Sequence, residues 1–391
     1  MEQLKKKDNI IFCGLFIFLT ASSFVNHDVY AFTVRYDSLL IFLVLCVLAL
    51  PYLAEDIRGR NADLIMTAAT IVLSAVFVLI TGSGYGAVFI PSDLALIAYV
   101  SGKLKLKQGS VLCLSFTGAC PVILWYSHVR WSYNFNMAGF AFMLMAYFAM
   151  ILVEEWRDGA PAFLSGHKAY FKWVIFITAF ILSMLYHSRT VMAGMLGFAA
   201  VYLLFGMTVR HRWVRRLLFF LASAGAVLFT AAYVWIAETV GNARFLYKDV
   251  FSGREAIWRE LWGAFLASPL TGIGSAYELK SFEIFEVHNG MFDILVVHGI
   301  IVFMLVLMLM YRRLEKVYID KAEDKGNQES GLHKLDETSR LALAAAFSMM
   351  FTSWFENYFT VPPYSIFFMT FIMMADRRVY HDLLSFRADV V

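Results

Sequence analysis

Between Ser252 and Gly299 the chain reads Ser252-Gly-Arg254, Trp258, Ser268-Pro-Leu-Thr-Gly272-Ile-Gly274, His288-Asn289 and Gly299. It then runs without a charge through Ile300-Ile-Val-Phe-Met-Leu-Val-Leu-Met-Leu-Met310. The second half of this stretch decides the fold class, because apolar runs of its kind recur from end to end of the chain. Of 391 residues, 60% are hydrophobic and 16% charged, against roughly a quarter charged in soluble domains. The first half is the longest polar interruption of that pattern, and an arginine and a histidine held between membrane spans need a chemical reason.

About 20 apolar residues carry a helix across roughly 30 Å of hydrocarbon. On that measure the chain is an all-α, polytopic membrane helical bundle with about twelve transmembrane helices: 9–26, 38–54, 63–81, 86–102, 109–127, 136–153, 171–187, 190–208, 217–237, 291–311, 341–355 and 364–376. We read it as a single transmembrane domain over 1–391, with a long outward loop at 238–290 and an inward loop at 312–340. The segment Lys321-Ala-Glu-Asp-Lys-Gly-Asn-Gln-Glu-Ser330 in the inward loop has the mixed charge of a linker.

Orientation follows from the cations. With Lys5, Lys6 and Lys7 inside, alternating spans place all but eight of the 33 Lys and Arg on the cytoplasmic side, with both termini. The exceptions are Arg35, Arg130, Arg189, Arg244, Lys248, Arg254, Arg259 and Lys280. The first span reads as a signal anchor, having no small-x-small cleavage site after it. The net charge of +3 comes mostly from the cytoplasmic cations. It therefore speaks to membrane lipids as partners and gives no support to nucleic acid. Cys13, Cys46, Cys113 and Cys120 fall inside spans as small packing residues.

Within the outward loop, Ser252 and Glu255 have the spacing of a capping box. Ile257, Trp258, Leu261, Trp262 and Phe265 recur at helical intervals. This predicts an amphipathic helix at the membrane surface, with Trp258 and Trp262 at headgroup depth. Ser268-Pro269 ends it, and Gly272-Ile273-Gly274 turns the chain. Arg254 falls in the first turn, where backbone N–H groups favour an anion; its plain structural reading is a snorkelling interfacial arginine.

The set Gly253-Arg254, Trp258, Ser268-Pro269-Leu-Thr-Gly272-Ile-Gly274, Val287-His288-Asn289 and Gly299, preceded by Ser188-Arg189-Thr190 at a tight outward turn, resembles the O-antigen ligase and O-antigen polymerase superfamily. The resemblance implies a GT-C-like bundle of the bacterial plasma (inner) membrane with its active site on the outer face. It also implies a glycosyltransferase that moves an oligosaccharide from undecaprenyl diphosphate to an acceptor hydroxyl. The partners it implies are the lipid-linked donor, a glycan or lipid-linked glycan acceptor, and a chain-length regulator or flippase. Carried over by residue, the catalytic set is His288, Arg254 and Arg189. Val302 stands where the ligases often carry a small, hydroxylated or Tyr side chain, which tilts the reading from ligase towards polymerase.

The chemistry agrees with that transfer. A sugar on a diphosphate already has its leaving group, so the protein must hold two phosphates and remove the acceptor's proton. An arginine fork binds phosphate oxygens bidentately and stays charged. A histidine with a pKa of about 6.5 suits the proton, and Asn289 beside it is placed to orient the ring or meet substrate. The plain reading of His288 is a loop histidine bonded to backbone.

Arg130, Tyr133 and Asn136 lie in an aromatic- and amide-rich outward segment suited to sugar recognition, or to interfacial anchoring. His187 and Glu356 complete the substrate-binding candidates. No His-x-x-x-His, paired Cys or outward Asp-x-Asp is present, so neither a catalytic metal nor another cofactor is expected. The alternative of a different class is a transporter or flippase of lipid-linked oligosaccharides. It calls for cations through the bundle, whereas the outward cations here gather at one face.

Overall fold

The computed structural model describes residues 2–24, 27–120, 135–156, 166–186, 188–240, 244–245, 248–249, 253–281, 287–326, 337–361 and 364–376. The chain is helical, as expected. Its helices are α1 (Glu2–Phe24), α2 (His27–Arg58), α3 (Ala62–Thr81), α4 (Phe89–Ser101), α5 (Gln108–Ala119), α6 (Phe135–Glu155), α7 (Lys168–Leu185), α8 (Arg189–Leu203), α9 (Phe205–Arg210), α10 (Arg212–Ala222), α11 (Ala224–Val240), α12 (Arg254–Ala267), α13 (Gly290–Gly326), α14 (Glu337–Thr352) and α15 (Tyr364–Ala375). Among the described residues the sole extended pairing is a two-residue antiparallel ladder, Arg244–Phe245 against Lys248–Asp249.

Every expected span contains helix, but the number of crossings does not follow from that. Among the described residues, five helices are long and apolar enough to cross a membrane: Lys7–Phe24, Phe32–Arg58, Ala62–Thr81, Lys168–Leu185 and Gly290–Tyr318. The bent pair α10–α11, angled at 49°, makes a sixth. Tyr85–Ser101, Arg189–Leu203 and Tyr364–Ala375 are apolar but shorter. Burial explains part of the difference. Every residue of α15 is buried, as is almost all of α14, which carries Ser, Thr and a run of alanines. These inner helices meet protein on all sides, so lipid does not dictate their length or hydropathy. Outer helices show the reverse, exposing Leu50 and Leu79 to the extent of 62% and 70%.

The two ends of the bundle differ chemically. At one end, ion pairs join helices distant in sequence: Lys103 to Asp56, Arg313 and Lys105 to Asp376, Arg215 to Glu315, and Lys172 to both Glu154 and Glu337. These are groups that the cation census assigns to the cytoplasmic side. They also explain why the expected 312–340 loop begins as helix. α13 continues to Gly326 because Arg313, Leu314, Glu315, Val317 and Tyr318 are buried against the bundle; residues 327–336 lie outside the described residues. Orientation has a direct check. In a background without the four native cysteines, Glu283→Cys is expected to react with a membrane-impermeant thiol reagent in intact cells and Ser330→Cys only after permeabilisation. The reverse pattern overturns the assignment.

At the other end, α13 is broken. Gly299 has φ 79° and ψ 169°, so a non-helical residue sits between two helical stretches. The segment after α12 fills the break: Ile273 N–H donates to the Val296 carbonyl at 2.9 Å, Gly274 N–H to Val297 at 3.1 Å, and Ile300 N–H to Pro269 at 2.9 Å. A break inside a span survives only when protein satisfies the freed backbone groups, and Pro269–Gly274 does so here. Gly274 in turn lies against α3's end, where Ser275 N–H donates to Ser83 Oγ at 2.8 Å. The Ser-Pro-Leu-x-Gly-x-Gly motif is thus a seal for the helix break.

Candidate active site

Four segments meet above that break. α12 begins one residue later than the capping-box reading: Gly253, in the left-handed region at φ 87°, precedes Arg254 without a side-chain cap, and Ser252 lies outside the described residues. The helix packs on protein. Its apolar face is buried against α11 and α13, and Trp258 is 0% exposed. The Trp258 indole N–H donates to the Val287 carbonyl at 2.6 Å, and that of Trp262 to Thr230 Oγ1 at 2.9 Å. Each indole finds both an aromatic neighbour and an acceptor within the protein. Glu260 holds the returning segment, accepting from the backbone N–H groups of Lys280 and Ser281 and from the Tyr277 hydroxyl. Burial raises its carboxyl pKa, but those bonds prevail and leave it lowered.

The Trp258–Val287 bond sets the residue before His288. His288 itself takes φ 51°, a left-handed conformation costing a non-glycine residue about 1–3 kcal/mol. Asn289, expected to orient the ring or touch substrate, bonds to backbone. It is 0% exposed, its amide donates to the Ala226 carbonyl at 2.9 Å, and its Oδ1 caps α13 through Phe292 N–H at 2.9 Å. Asn289 anchors the backbone that presents the histidine.

Glu356 joins the other two groups. It follows α14 and is 6% exposed. Oε1 accepts from Arg254 Nη2 at 2.6 Å, and Oε2 lies 3.1 Å from His288 Nδ1. Arg254 also donates through Nη1 to the Phe355 carbonyl at 2.6 Å. Burial pushes the Glu356 carboxyl up, while the bond to His288 and the charge of Arg254 pull it down; the balance leaves it below the usual range and ionised at neutral pH. The sequence places Glu356 among the substrate-binding candidates. Its signal, the one carboxylate between Phe351 and Val361, was visible, but its partners were not.

Arg189 opens α8, half-buried. Burial lowers its pKa, the positive charge of Arg254 lowers it further, and Tyr233 acts in the opposite sense. The two arginines therefore feel each other across one site. Thirteen residues further along α8, Tyr202 bonds Glu337 in the ion-paired end. At 1.5 Å per residue that separation is about 20 Å, against roughly 30 Å of hydrocarbon. Arg189 therefore lies about 20 Å along α8 from the ion-paired end.

Arg130, Tyr133 and His187 lie outside the described residues, and Asn136 is described only as backbone in α6. Among the described residues no three His, Cys, Asp or Glu side chains gather as a metal-holding group. The positive charge at this site comes from guanidinium groups.

The fold and site define an integral membrane helical protein with an arginine–histidine–carboxylate cluster at the end of the bundle opposite its ion pairs. Residues 174–307 match the family model described as O-antigen ligase. Over that stretch, about a third of the chain, the sequence is similar to O-antigen ligases, in support of the O-antigen ligase/polymerase superfamily. It spans Arg189, Arg254, His288 and Gly299 and stops short of Glu356. Comparison with curated proteins and with solved structures gives no match.

Proposed function

We propose that this protein is a glycosyltransferase that polymerises or ligates oligosaccharide units borne on undecaprenyl diphosphate, adding them to an acceptor hydroxyl at the outer face of a bacterial inner membrane. Polymerisation is the favoured form, on the strength of Val302. The observation that carries the reading is Glu356, which ties an anion-binding arginine and a proton-accepting histidine into one unit. The family match adds nothing for a transporter.

With Glu356 ionised, the proton on the His288 ring belongs on Nδ1, facing the carboxylate. Nε2 is then the atom that accepts a proton. The acceptor O–H gives its proton to Nε2 as its oxygen bonds the anomeric carbon. The bond from that carbon to the phosphate oxygen breaks, and its electron pair leaves with the diphosphate. Arg189 and Arg254 hold the growing negative charge, a task other transferases give to a metal ion.

Reconstituted transfer with a lipid-linked oligosaccharide tests this directly. A ladder of longer carrier-linked glycans marks a polymerase, and a glycan moved to a terminal acceptor marks a ligase. In either case Arg189→Lys and Arg254→Lys should each lose about tenfold or more in kcat/KM, because an ammonium lacks the planar fork. Wild-type kinetics in both lysine variants would end the diphosphate role.

A further inference from the structure

The ion-paired end carries a feature unrelated to the site. α10 reads Arg212-Trp-Val-Arg-Arg-Leu-Leu-Phe-Phe-Leu-Ala222. Val214, Arg215, Leu218 and Ala222 are its buried face. Arg215 locks that face in place: its Nη2 and Nε meet Glu315 at 2.8 and 3.1 Å, and its Nη1 donates to the Thr208 and Val209 carbonyls that end α9. The opposite face is open. Trp213, Leu217 and Phe220, spaced i, i+4 and i+7, are 63%, 46% and 46% exposed. Arg212 and Arg216, also i and i+4, are exposed along one edge of that stripe.

Among the described residues, those arginines have few competing anions. Arg212 Nε lies 3.2 Å from Glu315 Oε1, a carboxylate already shared with Arg215, and Arg216 Nε donates to the Tyr311 hydroxyl at 3.3 Å. Both contacts use Nε and neither neutralises a whole charge. The stripe from Trp213 to Phe220 rises about 10 Å along the helix, away from the ion-paired end and up to the 49° bend into α11.

We propose that this face of α10 is a binding site for an anionic glycerophospholipid. The phosphate of the headgroup sits on the Arg212 and Arg216 guanidinium groups, and an acyl chain lies along Trp213, Leu217 and Phe220. A charged headgroup at one end and a hydrocarbon chain running inward match the order of cationic and apolar side chains along the helix. A zwitterionic lipid has the same phosphate but adds a headgroup cation beside the two guanidinium groups, and a soluble anion lacks the hydrocarbon. The cation census puts this end in the cytoplasmic leaflet, where anionic lipid and basic side chains attract.

Native mass spectrometry of the full-length protein released from nanodiscs of equal phosphatidylglycerol and phosphatidylcholine reads the site. Phosphatidylglycerol adducts are expected to be retained about tenfold over phosphatidylcholine. The preference should disappear in Arg212→Gln/Arg216→Gln and persist in Arg212→Lys/Arg216→Lys, which keeps the charge if either exchange disturbs folding. Equal retention of the two lipids by the wild type, an unchanged preference in the glutamine variant, or displacement of the bound lipid by a polyprenyl phosphate at equal concentration would each overturn the proposal.

Discussion

His288→Ala is expected to abolish glycan transfer while the protein remains inserted, monodisperse and able to bind lipid-linked donor. General-base catalysis contributes typically 10²–10⁴-fold, and the substitution removes the proton acceptor while leaving Arg254 bonded to Phe355 and Glu356. Backbone disruption should be small. His288 occupies its left-handed conformation because Val287 is bonded by Trp258 and Asn289 caps α13, and neither bond involves the imidazole. Single-turnover transfer by purified protein, in the presence of a chelator, is the measurement. Near wild-type turnover in the variant would remove His288 from the reaction. Loss of wild-type activity on chelation would refute a metal-independent transfer.

Among the described glycines, Gly299→Ala should be the most damaging added methyl group. Its Cβ would stand 2.1 Å from the Leu270 carbonyl oxygen and 2.7 Å from the Gly272 nitrogen. The backbone angles, φ 79° and ψ 169°, belong to a region that is essentially glycine's alone. The neighbouring backbone has little freedom to withdraw, because the bonds from Ile273, Gly274 and Ile300 hold it there. Strain and overlap together should cost on the order of 3 kcal/mol or more. The check is the melting temperature and monodispersity of the detergent-solubilised variant beside Gly263→Ala. Gly263 lies within α12 with nothing within 4 Å of the added Cβ, so that exchange should be neutral or mildly stabilising. Similar behaviour of the two variants would mean that the loop does not seal the break.

Much of this protein was legible before any tertiary contact was known. Hydropathy is a local property, so the apolar runs identified a membrane bundle and the positions of its helices. The motif residues were equally local: Arg254 opens its helix, Gly272 and Gly274 have positive φ, and Arg189 stands at the head of α8. What a side chain does once packed is set by groups far along the chain, and there local reasoning had no purchase. Trp258 and Trp262 have the spacing of headgroup anchors, yet α11 and α13 cover them. Asn289 adjoins the histidine in sequence but spends its amide on Ala226, 63 positions away. Glu356 stands 68 positions beyond His288 and 102 beyond Arg254, and its bridge between them exists only because α12, α13 and α14 converge. The number of crossings likewise does not follow from hydropathy alone, since inner helices clothed by protein are released from the length that lipid imposes. Composition and periodicity determined where this chain resides and which residues can carry charge into it; packing decided which of those residues meet, because an ion pair or a sealed helix break is a property of two distant segments and of neither alone.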